Sequence, residues 1–222
     1  MLNGVDISSH NGDVNIPAMT DTDFVIVKLT EGLTYDNPYA YKAGEVLASG
    51  KLLGCYHYAR NNDAENEARH FLGLFEQYKG KAIPVLDWEE DQGVEWVNRW
   101  VRFVHGTTGI WPWIYANPWR FNQGGVEVNC DRWIAAYPNE RESYYSTDPG
   151  NVPTTDGSVC AWQYSSNGRV TGYAGRIDIN HYYGDRDSWQ RYCDGDNPQM
   201  TYPIQGVSTL ENDEYKVTIE RK

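Results

Sequence analysis

The 222-residue sequence lacks the features that mark several large functional classes. No apolar run approaches the ~20 residues that a membrane-spanning helix needs, so we expect no membrane insertion. Lysine and arginine form no cluster, and the net charge is −12. Nucleic-acid binding usually requires a basic patch and a high pI, so we expect no nucleic-acid partner either.

Signals for secretion and for metal binding are also missing. Residues 1–6 contain neither the basic nor the apolar region of a secretory signal peptide, so we expect synthesis without one or its prior removal. The four cysteines, Cys55, Cys130, Cys160 and Cys193, lie far apart, and no C-x-x-C pair is present. We therefore expect no zinc site, and we expect free thiols because synthesis inside a cell keeps thiols reduced. Calcium loops of the D-x-D-x-D-G type are absent as well, so we expect neither metal nor cofactor.

Phenylalanine is scarce, whereas the other two aromatic residues are abundant. The sequence contains 5 Phe against 17 Tyr and 9 Trp. Tyr and Trp combine an apolar face with a polar edge, which suits a wet, concave surface such as a sugar site. We expect some of these side chains to line such a surface, while most of them fill the core.

Short apolar segments alternate along the chain with longer amphipathic stretches. The strand-like segments cover 2–7, 24–29, 52–58, 82–87, 112–115, 132–136, 159–163 and 177–180. Most are continuously apolar, which is typical of strands buried on both faces in parallel sheets. Helical periodicity appears at 37–49, 64–78 and 94–105 and then fades. The sequence therefore predicts an α/β fold, a modified TIM-like β/α barrel of about eight strands with fewer helices in its second half.

The pattern changes towards the carboxyl terminus. Asp185 and Asp187, after the last predicted strand, indicate a solvated loop. We expect a single barrel domain to occupy residues 1–195. If the chain is an enzyme, this barrel is its catalytic domain. Residues 196–222 would then form a tail, a linker or the start of a further module.

Four acidic residues lie at the ends of predicted strands, namely Asp6, Asp87, Glu89 and Asp178. In a β/α barrel these ends meet at one mouth, where active sites are found. Asp87 and Glu89 are two residues apart and would point to one face of a strand, so repulsion should leave one of them protonated near neutral pH. Cleavage of a glycosidic bond requires such an acid beside a second carboxylate. Solvated loop acids are the alternative, which the preceding apolar run and Trp88 disfavour.

Seven motifs resemble those of glycoside hydrolase family 25, the Chalaropsis-type lysozymes, which include many phage endolysins. They are GVDISSHNG at 4–12, VKLTEG at 27–32, GCYHYAR at 54–60, LDWE at 86–89, WIAAY at 133–137, WQYS at 162–165 and IDIN at 177–180. Each motif is weak alone, but all seven occur in the order of the family. The resemblance covers residues 2–190.

This resemblance implies N-acetylmuramidase activity on the β-1,4 bond between N-acetylmuramic acid and N-acetylglucosamine in bacterial peptidoglycan, without a cofactor. It implies that Glu89 is the general acid. Asp87 would support the 2-acetamido group or act as the second catalytic carboxylate, and Asp6 and Asp178 would tune these two and bind substrate. We expect a retaining reaction through an oxazolinium ion, because muramic acid supplies the acetamide.

Further side chains at strand ends are candidates for substrate binding, with core packing as the alternative for each aromatic one. The aromatic candidates are Tyr56, Tyr58, Trp88, Tyr115, Tyr137 and Trp162. Lys28 and Glu31 would form an ion pair at the rim or contact substrate. We expect His10 and His57 to be hydrogen-bonded scaffold, because neither has a ligand partner at metal spacing.

Two other functions stay open from the residues alone. The D-x-E strand is also similar to that of chitinase-type barrels, although Pro84 and Val85 stand where those carry further aspartates. A non-catalytic wall-binding module would keep the groove but would not need four acidic residues. We expect the protein to act on the bacterial wall, after release by a phage or secretion. It would act as a monomer or be assisted by a wall-binding module, since anionic wall polymers repel a net charge of −12.

Overall fold

Strands and helices alternate through most of the chain. The structure is a computed structural model that describes residues 1–198. Over that range the strands are β1 (Leu2–Ile7), β2 (Phe24–Glu31), β3 (Tyr35–Asp36), β4 (Leu52–Tyr58), β5 (Ala82–Asp87), β6 (Trp113–Ala116), β7 (Arg132–Ala135), β8 (Val159–Val170) and β9 (Tyr173–Tyr182). The α-helices are α1 (Lys42–Ala48), α2 (Ala64–Phe75), α3 (Val94–Thr108), α4 (Pro118–Phe121) and α5 (Arg186–Cys193).

Hydrogen bonding between the first two strands closes the sheet into a barrel. The order around it is β1-β9-β8-β7-β6-β5-β4-β2, and β1 pairs in parallel with β2, with Gly4 opposite Phe24. The short β3 pairs with the end of β2. The predicted β/α barrel of about eight strands is confirmed. Its second half carries fewer helices, as predicted, because the single-turn α4 and the longer α5 follow the three helices α1, α2 and α3 of the first half.

The last strand runs against the other seven strands of the barrel. β9 is antiparallel to both of its neighbours, β8 and β1. The expectation of parallel strands fails here because β8 and β9 are joined by a tight turn, and a hairpin necessarily reverses the chain. Gly172 adopts φ +82° in this turn. Both strands also extend beyond the predicted 159–163 and 177–180, into polar residues that carry no apolar periodicity.

Two helices, the single-turn α4 and the longer α5, were not predicted; Asp185 and Asp187 belong to the second of them. Asp185 caps α5, because its carboxylate accepts a hydrogen bond from the backbone N–H of Ser188 at 2.8 Å. The hydroxyl of Ser188 accepts one in return from the N–H of Asp185 at 2.9 Å. Placing Asp185 and Asp187 in a solvated loop was therefore wrong: Asp185 is an N-cap and Asp187 lies in the first helical turn. Such reciprocal caps satisfy backbone donors that a helix start leaves free.

Helix α5 packs across the end of the barrel opposite its mouth. The ring of Trp189 lies 4.9 Å from Phe24, 5.2 Å from Trp113 and 5.1 Å from Tyr182, between centroids. Its indole N–H donates to the carbonyl of Leu53 at 3.2 Å. Phe24, Leu53 and Trp113 lie where β2, β4 and β6 begin, and Tyr182 lies where the antiparallel β9 ends. Helix α5 therefore forms the floor of the barrel and leaves the opposite end open.

Other expectations concern the cysteines, the membrane and the carboxyl terminus. The four cysteines are buried and unpaired. Within residues 1–198, every helix is too short or too polar to cross a membrane. The described residues end at 198, so residues 199–222 of the predicted tail or module lie outside them.

A buried guanidinium holds the irregular second half together. Arg132, the first residue of β7, is 1% exposed. It donates to the backbone carbonyls of Val126, Glu127 and Asp156 at 3.3, 3.0 and 3.2 Å, and also to that of Cys130. Because these carbonyls belong to the loops before β7 and β8, one side chain satisfies acceptors in two segments that have no regular structure.

Replacing Arg132 with Met should lower the free energy of unfolding by about 3–5 kcal/mol, because buried carbonyls would lose their donor. Urea unfolding followed by tryptophan fluorescence measures this loss. Arg102→Met is the matched control, since the Arg102 side chain is 55% exposed in an ion pair with Glu127. Its removal should cost about 0–1 kcal/mol. Equal losses in the two variants would contradict the role given to Arg132.

Candidate active site

A cavity of about 300 Å³ opens at the mouth of the barrel, where the parallel strands end. Its wall includes the four acidic residues identified from the sequence, Asp6, Asp87, Glu89 and Asp178. The other lining residues are Ser8, His10, Asn11, Lys28, Tyr56, Tyr58, Tyr115, Trp133, Tyr137 and Gln163. Closure of the barrel thus brings acids from opposite ends of the domain into one small site.

The strand register explains why the acids meet. Asp6 on β1 lies directly opposite Asp178 on β9, so the two side chains leave the same face of the sheet. Asp87 is the last residue of β5, level with Tyr58 on β4 and Tyr115 on β6. The acids and tyrosines therefore form one layer of side chains at the mouth.

Glu89 lies just beyond β5 and not on it. The sequence places Asp87 and Glu89 on one strand face, but β5 ends at Asp87, although both side chains line the cavity. Asp87 is buried, and its Oδ1 has no hydrogen-bond partner within residues 1–198. Glu89 is exposed. The two carboxylates thus differ in environment, one deep in the site and one at its rim.

Arg120 holds the segment that carries Glu89. Its Nη2 donates to the backbone carbonyl of Glu89 at 2.5 Å, and its guanidinium lies 5.3 Å from the ring centroid of Trp88. Arg120 belongs to α4, and a single helical turn has too few residues to show periodicity. No sequence signal points to this contact, which fixes the backbone from which the Glu89 carboxylate extends.

Asp6 accepts two hydrogen bonds at one oxygen. Gln163 Nε2 and Asn180 Nδ2 donate to Asp6 Oδ2 at 2.9 and 2.8 Å. Neither amide was a predicted site residue, although both lie in motifs, at 162–165 and 177–180. Those motifs were the available signal, but an amide has no fixed chemical role until its neighbours are known.

Three aromatic side chains orient these two amides. The hydroxyls of Tyr115 and Tyr137 donate to Gln163 Oε1 at 2.7 and 2.6 Å. The indole Nε1 of Trp133 donates to Asn180 Oδ1 at 2.8 Å. Tyr115 and Tyr137 were expected in the groove, where they do lie, but their hydroxyls are also engaged in holding the site together.

Burial raises the pKa of both aspartates of the facing pair. The pKa of Asp6 rises to about 6, although the hydrogen bonds from Asn180 and Gln163 favour the anion and act against the increase. The pKa of Asp178 rises to about 8, because burial is reinforced by the negative charges of Asp6 and Glu89. The pair therefore retains a proton at neutral pH.

The other two acids are shifted in the same direction. Burial raises the pKa of Asp87 well above its ordinary value, and Glu89 adds repulsion while Lys28 opposes it. Loss of hydration in the groove raises the pKa of Glu89, against the attraction of Arg120 and Lys28. Carboxylic acids that can give up a proton are thus available in the site.

Lys28 supplies a positive charge in the cavity wall. Its Nζ lies 2.5 Å from Glu31 Oε2 and 4.7 Å from the ring centroid of Tyr58. Glu31 also pairs with Arg60 at 2.7 Å, and Arg60 contacts Glu90. Of the two residues predicted at the rim, Lys28 lines the cavity, whereas Glu31 lies outside it in this chain of ion pairs.

A second cavity, of about 320 Å³, adjoins the first. The two share Glu89, Tyr115 and Tyr137. The second is completed by Trp88, Asn117, Ala135 and Ala136. Glu89 therefore stands at the boundary of two spaces, which together form a groove across the barrel mouth.

The aromatic candidates divide between groove and core. Tyr56 and Tyr58 line the first cavity, as do Tyr115 and Tyr137. Trp88 borders the second but is only 1% exposed. Trp162 lines neither cavity: the structure places it in the core, where its indole N–H donates to the carbonyl of Ala136 at 2.7 Å.

The two histidines differ in environment. His57 is buried scaffold, as expected, with Nδ1 2.8 Å from the hydroxyl of Thr30 and Nε2 2.9 Å from Glu67 Oε2. His10 is exposed and lines the first cavity, unlike the scaffold histidine that was expected. Within residues 1–198 no three histidine, cysteine or acidic side chains are grouped so that they could hold a metal ion.

Comparison with known proteins identifies relatives of this chain. The sequence profile of Glycosyl hydrolases family 25 matches residues 5–173. The autolytic lysozyme of Clostridium acetobutylicum is 27% identical over 191 residues, which are 82% of this chain but only 56% of that protein. The N,O-diacetylmuramidase of Chalaropsis sp is 27% identical over 188 residues, 74% of this chain and 88% of that enzyme.

A solved structure supports the assignment of the fold. The family 25 glycosyl hydrolase from Bacillus anthracis matches with a TM-score of 0.71 at 24% identity, over 86% of this chain and 93% of that one. The profile match alone spans most of the barrel, including Asp6 on β1, Asp87 at the end of β5 and Glu89 just beyond that strand. The chain therefore belongs to glycosyl hydrolase family 25 and is a glycoside hydrolase.

Proposed function

We propose that this protein is an N-acetylmuramidase, a lysozyme that hydrolyses the β-1,4 bond between N-acetylmuramic acid and N-acetylglucosamine in bacterial peptidoglycan. The observation that carries the proposal is the grouping of Asp87 and Glu89 with Asp6 and Asp178 in one cavity. The names of two relatives, an autolytic lysozyme and an N,O-diacetylmuramidase, support the same substrate.

Glu89 is the general acid in this proposal. It stands where the two cavities meet, so sugars in both would place their linking oxygen beside it. Its raised pKa keeps a proton available at a pH where an ordinary glutamate is ionised. Muramic acid then occupies the cavity that contains Asp87, and the glucosamine leaves from the neighbouring one.

Asp87 supports the acetamide group and does not attack the sugar. Its buried Oδ1 lacks a partner within the described residues, and the acetamide N–H could donate to it. That contact would turn the acetamide oxygen towards the anomeric carbon. The oxygen bonds to this carbon as the glycosidic bond breaks and Glu89 protonates the leaving oxygen. Water, deprotonated by the Glu89 carboxylate, then opens the oxazolinium ion, and two inversions give net retention.

Glu89→Gln should reduce the clearing of peptidoglycan suspensions by about 10²–10⁴-fold, because an amide cannot supply the proton. Turbidity measures the rate, and circular dichroism checks the fold. Glu90→Gln is the matched control, since Glu90 is the next residue but contacts Arg60 in the rim ion pairs. It should keep most of the activity. Undiminished clearing by Glu89→Gln would remove Glu89 from the role of acid.

The products should identify both the bond and the route. Mass spectrometry of digested peptidoglycan should find muramic acid at the new reducing ends. Glucosamine at these ends would indicate a glucosaminidase. Activity on chitin oligomers alone would indicate a chitinase, and binding to the wall without release of fragments would indicate a non-catalytic module. Proton NMR should detect the β anomer first, as retention requires. An α anomer formed first would rule out the acetamide route.

Activity should fall on the alkaline side of its pH profile, as Glu89 loses its proton. Because the pKa of Glu89 is raised in the folded protein, this decrease should occur at higher pH than for an ordinary glutamate. Arg120→Gln removes an opposing charge and should move the decrease further upward. Initial rates against pH measure the shift, with Arg99→Gln, from an exposed pair with Asp63, as control. Identical profiles for Arg120→Gln and the control would contradict this electrostatic coupling.

A further inference from the structure

Asp6 and Asp178 form a pair whose two carboxylates face each other. They are register partners across β1 and β9, and such partners have Cβ atoms ~4.5–5.5 Å apart. Asp87 and Glu89 line the same cavity. Like charges held this close share a proton more readily than they ionise together. The hydrogen bonds around the pair determine which aspartate holds it.

The indole of Trp133 orients the first donor. An indole N–H can only donate, and it lies 2.8 Å from Asn180 Oδ1. The amide nitrogen of Asn180 must therefore point the other way, towards Asp6 Oδ2 at 2.8 Å. An amide nitrogen also only donates, so Asp6 Oδ2 has to accept this hydrogen bond.

Gln163 provides the second donor. Its Nε2 lies 2.9 Å from the same Asp6 oxygen, while its Oε1 receives the hydroxyls of Tyr115 and Tyr137. Two N–H groups thus stabilise a negative charge on Asp6. Within residues 1–198 no comparable donor reaches the carboxylate of Asp178.

We propose that Asp6 is the ionised member of this pair and Asp178 the protonated one, and that Asp178 donates its O–H to an oxygen of the bound sugar. The order of protonation follows from the hydrogen bonds of the protein itself, whereas the contact with sugar rests on the proposed function. A neutral carboxylic acid can donate where a carboxylate can only accept. Gln163 and Asn180 are positioning residues, because they act through Asp6.

Other titratable groups face the pair from the surrounding strands. They are Lys28 on β2, Tyr56 on β4, Asp87 and Glu89 at the end of β5, Tyr115 on β6 and Tyr137 after β7. His10 lies in the turn after β1. Glu89 raises the pKa of both aspartates. The charge of Glu89 therefore mainly changes the pH at which the pair loses its proton. It has less effect on which of the two aspartates holds that proton.

Carboxyl ¹³C NMR of substrate-free protein labelled at the aspartate Cγ measures the two titrations separately. In the wild type, Asp6 should titrate with a pKa of about 6 and Asp178 with a pKa of about 8. Asp178→Asn should leave the Asp6 midpoint almost unchanged, because Asp6 titrates while its neighbour is neutral. Asp6→Asn should move the Asp178 midpoint down towards the ordinary aspartate range, because Asp178 normally titrates beside an anion.

Asp187→Asn, at an exposed position on α5, is the control and should move neither midpoint. The opposite result would overturn the assignment: an Asp6 midpoint lowered by Asp178→Asn, together with an Asp178 midpoint unchanged by Asp6→Asn. If Asp6→Asn does not fold, Gln163→Leu tests the same point. It removes one donor from Asp6 and should raise the Asp6 midpoint; an unchanged midpoint would overturn the role of the amide.

Binding of a peptidoglycan tetrasaccharide tests the contact with sugar. Calorimetry in a Glu89→Gln background, which prevents turnover, should show affinity falling about tenfold as the pH rises through the Asp178 midpoint measured by NMR in that same variant. Adding Asp178→Asn should remove this dependence, because the amide continues to donate. A dependence that persists would overturn the hydrogen bond. No binding at any pH would overturn the substrate assignment. The order in which Asp6 and Asp178 lose their protons is tested separately, by NMR of the substrate-free protein.

Discussion

The two sets of hydrogen bonds made by β1 are the constraint on which the site depends. β1 is parallel to β2 on one side and antiparallel to β9 on the other. This arrangement closes the barrel and at the same time sets Asp6 against Asp178. A slip of one residue would turn Asp6 to the opposite face and separate the pair. Gly4 helps to fix the register, because a Cβ there would lie 2.2 Å from the ring of Phe24.

The barrel and the positions of its acidic residues could be predicted because both depend on patterns within short stretches of sequence. Continuous apolar runs mark buried strands, and acids at the carboxyl ends of parallel strands, such as Asp6 and Asp87, must meet once the sheet closes. The direction of the last strand could not be predicted, since an apolar run looks the same in either direction. Trp162 shows a similar limit: its motif placed it near the groove, but its side chain is buried in the core, with its indole N–H donating to the carbonyl of Ala136.

The contacts that tune the site could not be predicted, because they join segments without periodicity. Arg120 reaches the carbonyl of Glu89 from a one-turn helix, and Arg132 holds loops that have no regular structure. Gln163 and Asn180 were visible in motifs, yet their effect on Asp6 depends on which end of each amide faces it. Residue types indicated the reaction class, while the charge on each acid follows from the three-dimensional arrangement.

The floor of the barrel has a consequence for how the chain is made. Trp189 and Tyr192 on α5 pack against Trp113, and Trp189 also packs against Phe24 near the beginning of the chain. During synthesis, Phe24 and Trp113 therefore lack their packing partners until α5 has left the ribosome. Until then the apolar side chains at this end of the early strands remain exposed. Contacts between residues so far apart in sequence form slowly. The barrel should consequently complete its fold only after α5, which ends at Cys193, has been synthesised.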